Sequence, residues 1–170
     1  MPGSAVAGGH YVARIYDPQA CPWQSIAHQI MEIEREGFGR GAFSKQYLKW
    51  AFLEPTSTAG LLIGDDDRIG GFTVAAGMGG IAANRRERET AYIVDTVIRR
   101  ELRGRALVGL LMQMVERELK ERGFRFLERH AAIANGYADS IRRHYGPRII
   151  REAGPQPSEW GEQMFFRIRL

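Results

Sequence analysis

The sequence predicts a single α/β domain, of the mixed α+β kind, on three observations. The chain has 170 residues, of which 44% are hydrophobic and 26% charged, enough to bury one sizeable core. Apolar runs bounded by Gly, Asp and Pro, such as Thr58 to Ile63 and Ala91 to Ile98, read as strands. Leu107, Leu110, Leu111, Met114, Val115 and Leu119 recur at three- and four-residue steps. That spacing lays one apolar face along a helix from about Arg105 to Arg122.

In chain order, His10 to Tyr16 alternates as a first strand. Pro18, Pro22 and Gln24-Ser25 open a helix with apolar positions Ile26, Ile30, Met31 and Ile33, and Gly37-Phe38-Gly39 closes it. Ser44 caps a second helix through Leu48, Trp50, Ala51 and Phe52, stopped by Pro55. Thr58 to Ile63 and Arg68 to Ala76 form a hairpin around the turn Asp65-Asp66-Asp67; Gly70-Gly71 marks a bulge or a close approach. Gly77 to Arg88, rich in Gly and Arg, is a loop, and Glu89 to Ile98 is a long strand. The central helix follows, ended by Gly123. Phe124 to Ala134 returns as a parallel strand through a right-handed crossover. Gly136 to Tyr145 is a short helix and Pro147 to Arg151 a short strand; Met164 to Leu170 is a last strand after a Pro155/Pro157 loop. The total is about seven strands and about four helices, with residues 1–9 as a flexible leader and 10–170 as the domain.

No apolar run approaches the length that crosses a bilayer. Cys21 is the only cysteine, so no internal disulfide forms and a reducing, cytoplasmic location is expected. Cys21 precedes Pro22 and has only His28 near it in sequence, which reads as an inert thiol. The net charge of +4 fits either a mildly basic soluble protein or one with an anionic partner, a nucleotide-bearing cofactor, an acidic substrate or nucleic acid, and charge alone does not choose. The basic clusters, Arg99-Arg100 to Arg105 and Arg142-Arg143, are short and lie beside turns, which suits a local anion pocket better than an extended groove.

The stretch that carries function is Arg103-Gly104-Arg105-Ala106-Leu107-Val108. It joins a strand to the start of the central helix. Such a turn aims backbone N–H groups and the positive end of the helix dipole at one spot, where phosphate or pyrophosphate binds. The arginines add forked donors. A plain tight turn with solvated arginines is the alternative.

The order of elements and this turn together resemble the GNAT acetyltransferase superfamily, over about residues 10–170. The family's pyrophosphate signature is Arg or Gln, two residues, Gly, one residue, then Gly or Ala, usually seen as Arg-Gly-x-Gly-x-Gly. Arg103 and Gly104 match, Ala106 stands where Gly is usual, and Val108 where Gly or Ala is usual. Val108 must therefore turn into the core to clear the phosphates; Gly109 follows at once. Downstream, Asn135-Gly136-Tyr137-Ala138 supplies the family's Asn and Ala, but Arg142 holds the usual Tyr position and Gly146-Pro147 replaces Gly-Phe.

The resemblance implies a GNAT fold: a central mixed, mostly antiparallel twisted sheet of about seven strands flanked by about four helices. It implies acetyl transfer from acetyl-CoA, with no metal, to a primary amine of an unidentified acceptor, a small molecule or a protein amine. The cofactor would run along Thr96, Val97 and Ile98, whose backbone would steady the oxyanion, an effect worth roughly 3–4 kcal/mol in other acyl-transfer enzymes. Arg103, Gly104, Arg105, Ala106, Leu107 and Val108 would hold the pyrophosphate, with Asn135 on the neighbouring strand end. An ammonium must lose a proton before it attacks. Asp95 and Glu89 are the expected bases, Asp95 first because burial in an apolar run raises its pKa; His130 is a further candidate. Tyr145 is the expected acid, with Tyr137 second, and Trp23, Trp50, Phe52, Trp160 and the Gly77–Arg88 loop would line the acceptor site.

Two rival readings remain at this stage: a non-catalytic acyl-CoA sensor of the same fold, and, more weakly, a nucleic-acid-associated domain using Arg99, Arg100, Arg103 and Arg105. No membrane partner is expected, and a C-terminal edge strand would allow a homodimer.

Overall fold

Strands come first in the logic of this molecule, because one sheet carries every other element. The structure, a computed structural model, describes residues 10–79 and 84–170. The expected leader at 1–9 and residues 80–83 of the expected acceptor loop lie outside them. β1 (Tyr11–Ile15), β2 (Thr58–Gly64), β3 (Ile69–Gly77) and β4 (Thr90–Ile98) follow one another antiparallel. β5 (Phe126–Ala132) lies parallel to β4, and β7 (Gly161–Arg169) runs antiparallel to β5 with β6 (Ile149–Ser158) outside it. The seven strands stand in the order β1-β2-β3-β4-β5-β7-β6. Mixed and mostly antiparallel, the sheet is the one expected.

Helices cover both faces, which is why β2 and β3 are buried along nearly their whole length. α1 (Trp23–Phe38) and α2 (Lys45–Leu53) lie on one face. Trp23, Ile26, Ile30 and Ile33 of α1 and Leu48 and Phe52 of α2 form a core with Leu61, Phe72 and Val74. Ser44 caps α2 as expected, its Oγ accepting from Tyr47 N–H at 3.1 Å. α4 (Leu107–Glu121) and α5 (Tyr137–Tyr145) build a second core on the other face, around Met112, Val115, Leu119, Leu127, Ile141 and Phe166. Leu110, expected on the buried stripe of α4, points outward instead. At Gly71 the expected close approach is real: a Cβ there would lie 2.7 Å from the Val97 carbonyl oxygen.

Three expectations need correction. The end of the expected Gly77–Arg88 loop forms α3 (Arg85–Arg88), a single turn held by a capping box between Asn84 and Glu87. The expected Pro155/Pro157 loop is part of β6, which runs from Ile149 to Ser158. Proline lacks the N–H a ladder needs, but β6 is an edge strand, where one side has no partner to donate to. The last strand, β7, is correspondingly internal; the edges are β1 and β6.

Candidate active site

β4 and β5 lie side by side only at their beginnings. Three pairs join them: Thr90 with Phe126, Ala91 with Leu127 and Tyr92 with Glu128. Beyond that point β4 follows β3 to Ile98 while β5 follows β7 to Ala132, and the sheet opens as a fork. The facing edges from Ile93 and Arg129 onward have no ladder partner, so their backbone polar groups are free to meet a bound molecule. A bulge starts the open arm: Val74 pairs with Asp95 and Ala75 with Ile93, leaving Val94 as the extra residue. Val94 packs toward α1 and α2, and Asp95 meets Glu34 of α1, so two consecutive side chains share one face.

The strand-to-helix turn closes the wide end of the fork. Gly104 (φ 77°) and Ala106 (φ 58°) both take the left-handed conformation. Ala106 thus keeps the backbone form that glycine favours, at a cost of roughly 1–2 kcal/mol, a kind of strain that collects at functional sites. No side chain caps α4, which leaves the N–H groups of its first turn for an anion. Arg103 Nε donates to the Ile98 carbonyl at 3.1 Å and ties the turn to the end of β4. Val108 does turn inward, packing against core residues on both sides of α4. Space beside Gly109 is open: a Cβ there would meet nothing within 4 Å. A cavity of about 160 Å³ continues from this point between α4 and α5, lined by Val108, Gly109, Met112, Arg129, Tyr137 and Tyr145 among others.

Thr96, Val97 and Ile98, the expected cofactor strand, stand along the open arm. Val97 and Ile98 bury their side chains and Thr96 Oγ1 bonds Thr73 Oγ1 at 2.8 Å, so the backbone is what they offer the fork. Asn135 is used locally, its Oδ1 accepting from Tyr137 N–H at 3.0 Å to start α5. Glu89 precedes β4 and bonds Arg85 at 2.9 Å; that hydrogen bond holds its carboxyl below the usual range, the reverse of what a base needs. Tyr145 lines the cavity, but its hydroxyl donates to the buried Glu116 at 2.6 Å, and burial drives its pKa upward. Its proton is already engaged.

Asp95 is 6% exposed. Its Oδ1 accepts from Thr96 N–H at 2.8 Å. Asp95 Oδ2 and Glu34 Oε2 each lack a donor, and one proton shared between the two carboxyl groups satisfies both. Burial first, then Glu34, push Asp95 up to about 9. The expected rise is present but overshoots: a carboxyl that keeps its proton at neutral pH takes none from an ammonium. Glu34 Oε1 also accepts from Phe43 N–H at 2.8 Å, so this pair pins the bulge to the segment between α1 and α2.

The face of the fork beside α1 and α2 is aromatic. Trp50, Tyr47, Phe43 and Trp160 form a row with ring centroids 5.6, 4.5 and 5.9 Å apart. Trp160, in the turn between β6 and β7, donates to the Gly41 carbonyl at 3.3 Å. Trp23 and Phe52, expected on this wall, are core residues instead, their tilted rings packed with centroids 5.2 Å apart. Just past the narrow end of the fork, Tyr92 Oη and His130 Nδ1 are 2.8 Å apart. Both are half-buried, and Phe165 flanks His130 at 5.4 Å.

The acetyltransferase (GNAT) family matches the chain over residues 23–142. The chain belongs to the GNAT acetyltransferase family. It is an acyltransferase by that membership. No curated protein sequence matches this GNAT chain. Solved structures match it at low identity and so speak to fold. The ribosomal-protein-S18-alanine N-acetyltransferase from Escherichia coli has a TM-score of 0.68 at 12% identity, covering 95% of this chain and 93% of its own. NAA60 from Arabidopsis thaliana, in complex with a bisubstrate analogue, scores 0.70 at 12% identity, covering 95% and 99%. An aminoglycoside 6'-N-acetyltransferase complexed with coenzyme A scores 0.70 at 12%, covering 93% and 96%.

Within this GNAT domain, sequence reasoning missed Tyr92, Glu34, Tyr47 and Arg129. One signal was present: Glu128-Arg129-His130 is a run of three polar residues inside a strand whose neighbours are apolar. Alternation then sends Arg129 and His130 to opposite faces at the mouth of the fork.

Proposed function

We propose that this GNAT domain transfers an acetyl group from acetyl-CoA to a primary amine. One observation carries the reading: the unpaired arm of β4 and the uncapped start of α4 open onto the same fork. The residues present fit acetyl-CoA. The backbone of Thr96, Val97 and Ile98 would pair with its pantetheine arm, and the turn from Arg103 to Val108 would take its pyrophosphate. When bound, acetyl-CoA supplies a thioester carbonyl that an amine can attack.

The chain's own residues then handle protons and position. The His130 ring lies beside Tyr92 and Phe165, and its Nε2 makes no hydrogen bond among the described residues, so it is the group left to take a proton from an incoming ammonium. The Tyr92 hydroxyl fixes its ring through Nδ1. Phe43, Tyr47, Trp50 and Trp160 would receive the acceptor.

Calorimetry with CoA and acetyl-CoA, then thiol release with a panel of amines, tests this reading. Binding followed by amine-dependent release is the expected result; binding without release would mark an acyl-CoA sensor. His130→Gln should lower kcat by about 10²–10⁴ and remove the acidic limb of the pH–rate profile while CoA affinity holds. An unaltered profile would clear His130 of the role.

A further inference from the structure

The Arg167–Glu128 pair is buried, its side chains 6% and 12% exposed, yet one hydrogen bond holds it: Arg167 Nη1 donates to Glu128 Oε1. Arg167 Nε and Nη2 and Glu128 Oε2 make no hydrogen bond among the described residues. The Phe126 ring, its centre 4.2 Å from the Arg167 guanidinium carbon, covers a face of the group and does not satisfy the N–H groups in its plane. Taking two charges out of water is costly, and one bond does not offset it. Space for a further partner exists. A cavity of about 200 Å³ opens on the pair, lined also by Arg86 of α3 and Thr90 of β4.

This cavity lies beside the reacting part of the fork. Alternation puts Thr90 and Tyr92 on one face of β4, and Glu128 and His130 on one face of β5. Tyr92 pairs with Glu128 in register and bonds His130. The ion pair therefore stands one strand step from His130, roughly 6–7 Å for two residues.

Positive charge is in surplus here. Arg151 stands opposite Arg167 in the β6–β7 register and lies over the Phe165 ring; Arg169 follows Arg167 on the same face. Neither Arg151 nor Arg169 nor Arg86 meets a carboxylate among the described residues. Glu87, beside Arg86, is turned to its own helix start, its Oε2 accepting from Asn84 N–H at 2.9 Å. The missing partner is thus an anion. The in-plane N–H groups of a guanidinium match a flat carboxylate, and Glu128 alongside opposes a doubly charged phosphate.

We propose that the acceptor carries a carboxylate, which docks on Arg167 in this cavity while its amine stands at His130. This rests on the reading of the fork as an acetyl-transfer site. The acceptor class is then a short amino acid whose amine and carboxylate lie a few bonds apart. A polyamine or an aminated sugar would bring positive charge to a face already rich in it.

The probes are the ω-amino acids from glycine to ε-aminocaproate, each beside its primary amide, with acetyl-CoA and the whole chain. The amide keeps the shape and drops the charge. Its amine is the less basic in the shortest members, so greater reactivity cannot explain a preference for the acid. At the best chain length kcat/KM should favour the acid about tenfold or more, as for a charge-assisted hydrogen-bonded pair. Replacing both halves of the ion pair, Arg167→Met with Glu128→Leu, leaves no buried charge unpaired and should erase that preference. Arg86→Glu, on an exposed turn, should lower it about threefold and decides the matter if the double variant fails to fold. Calorimetry of the same acids and amides against the CoA-loaded chain should give the same ranking without turnover.

Acetyl transfer with equal kcat/KM for acids and amides overturns the proposal and leaves the acetyl-transfer reading intact. A preference that survives these substitutions also overturns it. If no amine is acetylated but the acids bind better than their amides, the acetyl-transfer reading falls and the carboxylate site stands. If acids and amides bind alike, or neither binds, the site falls as well.

Discussion

A carboxyl group buried beside a second one keeps its proton, and at Asp95 this has a cost that depends on pH. Unfolded, Asp95 releases its proton near ~3.9; folded, burial and Glu34 raise it to about 9. Between those values the native state binds more protons than the unfolded chain, so stability falls as pH rises across the window. Asp95→Asn retains an acceptor for Thr96 N–H and adds a donor for Glu34. Its melting temperature should therefore exceed the wild type's by more at pH 8 than at pH 5. Parallel melting curves across that range would remove the shared proton from the account. At Gly104 the reasoning concerns binding. Room exists for a side chain, with nothing within 4 Å of a Cβ, but φ is +77°, and an acid there would repel the pyrophosphate proposed for this turn. Gly104→Glu should weaken CoA binding at least about tenfold, from charge repulsion of about 1.4 kcal/mol or more, and leave the fold intact; unchanged affinity in calorimetry would move the diphosphate elsewhere.

At the level of elements, α4 serves two masters: its first turn faces the fork, and its buried stripe joins two core clusters on its face of the sheet. Leu111 is fully buried against Leu62 and Ile98. Leu111→Ala should cost about 2–5 kcal/mol in urea unfolding, with a loss under 1 kcal/mol showing that the site collapses around the gap. This helix, the α1 face and the Ser44 cap were legible because period and capping are local signals. β6 and α3 were not. A strand through Pro155 and Pro157 is tolerable only at an edge, and sequence does not say which strand is the edge. The Tyr92–His130 contact spans 38 positions, and only the parallel pairing of β4 with β5 brings it together. Asp95 was legible as a buried acid but not as half of a pair, because Glu34 reaches it from another element.

Across the whole molecule, the β6–β7 hairpin links two regions that are distant in sequence. Trp160 at its tip touches Phe43 and the Gly41 carbonyl and so completes the aromatic wall from the far end of the sheet. Trp160→Ala should raise the acceptor KM several-fold with CoA affinity unchanged, a loss of about 1 kcal/mol typical of one aromatic contact; steady-state kinetics with equal KM would exclude the hairpin from acceptor binding. The same arrangement bears on how a ribosome delivers this chain. β1 to β4 can zip together as they emerge, each beside its predecessor, whereas β5 appears with one edge barely held and the other bare until β7 is made. The limb that carries Arg129 and His130 is thus the last to gain shelter, and a nascent chain stalled before β7 exposes a sticky margin for chaperones to guard.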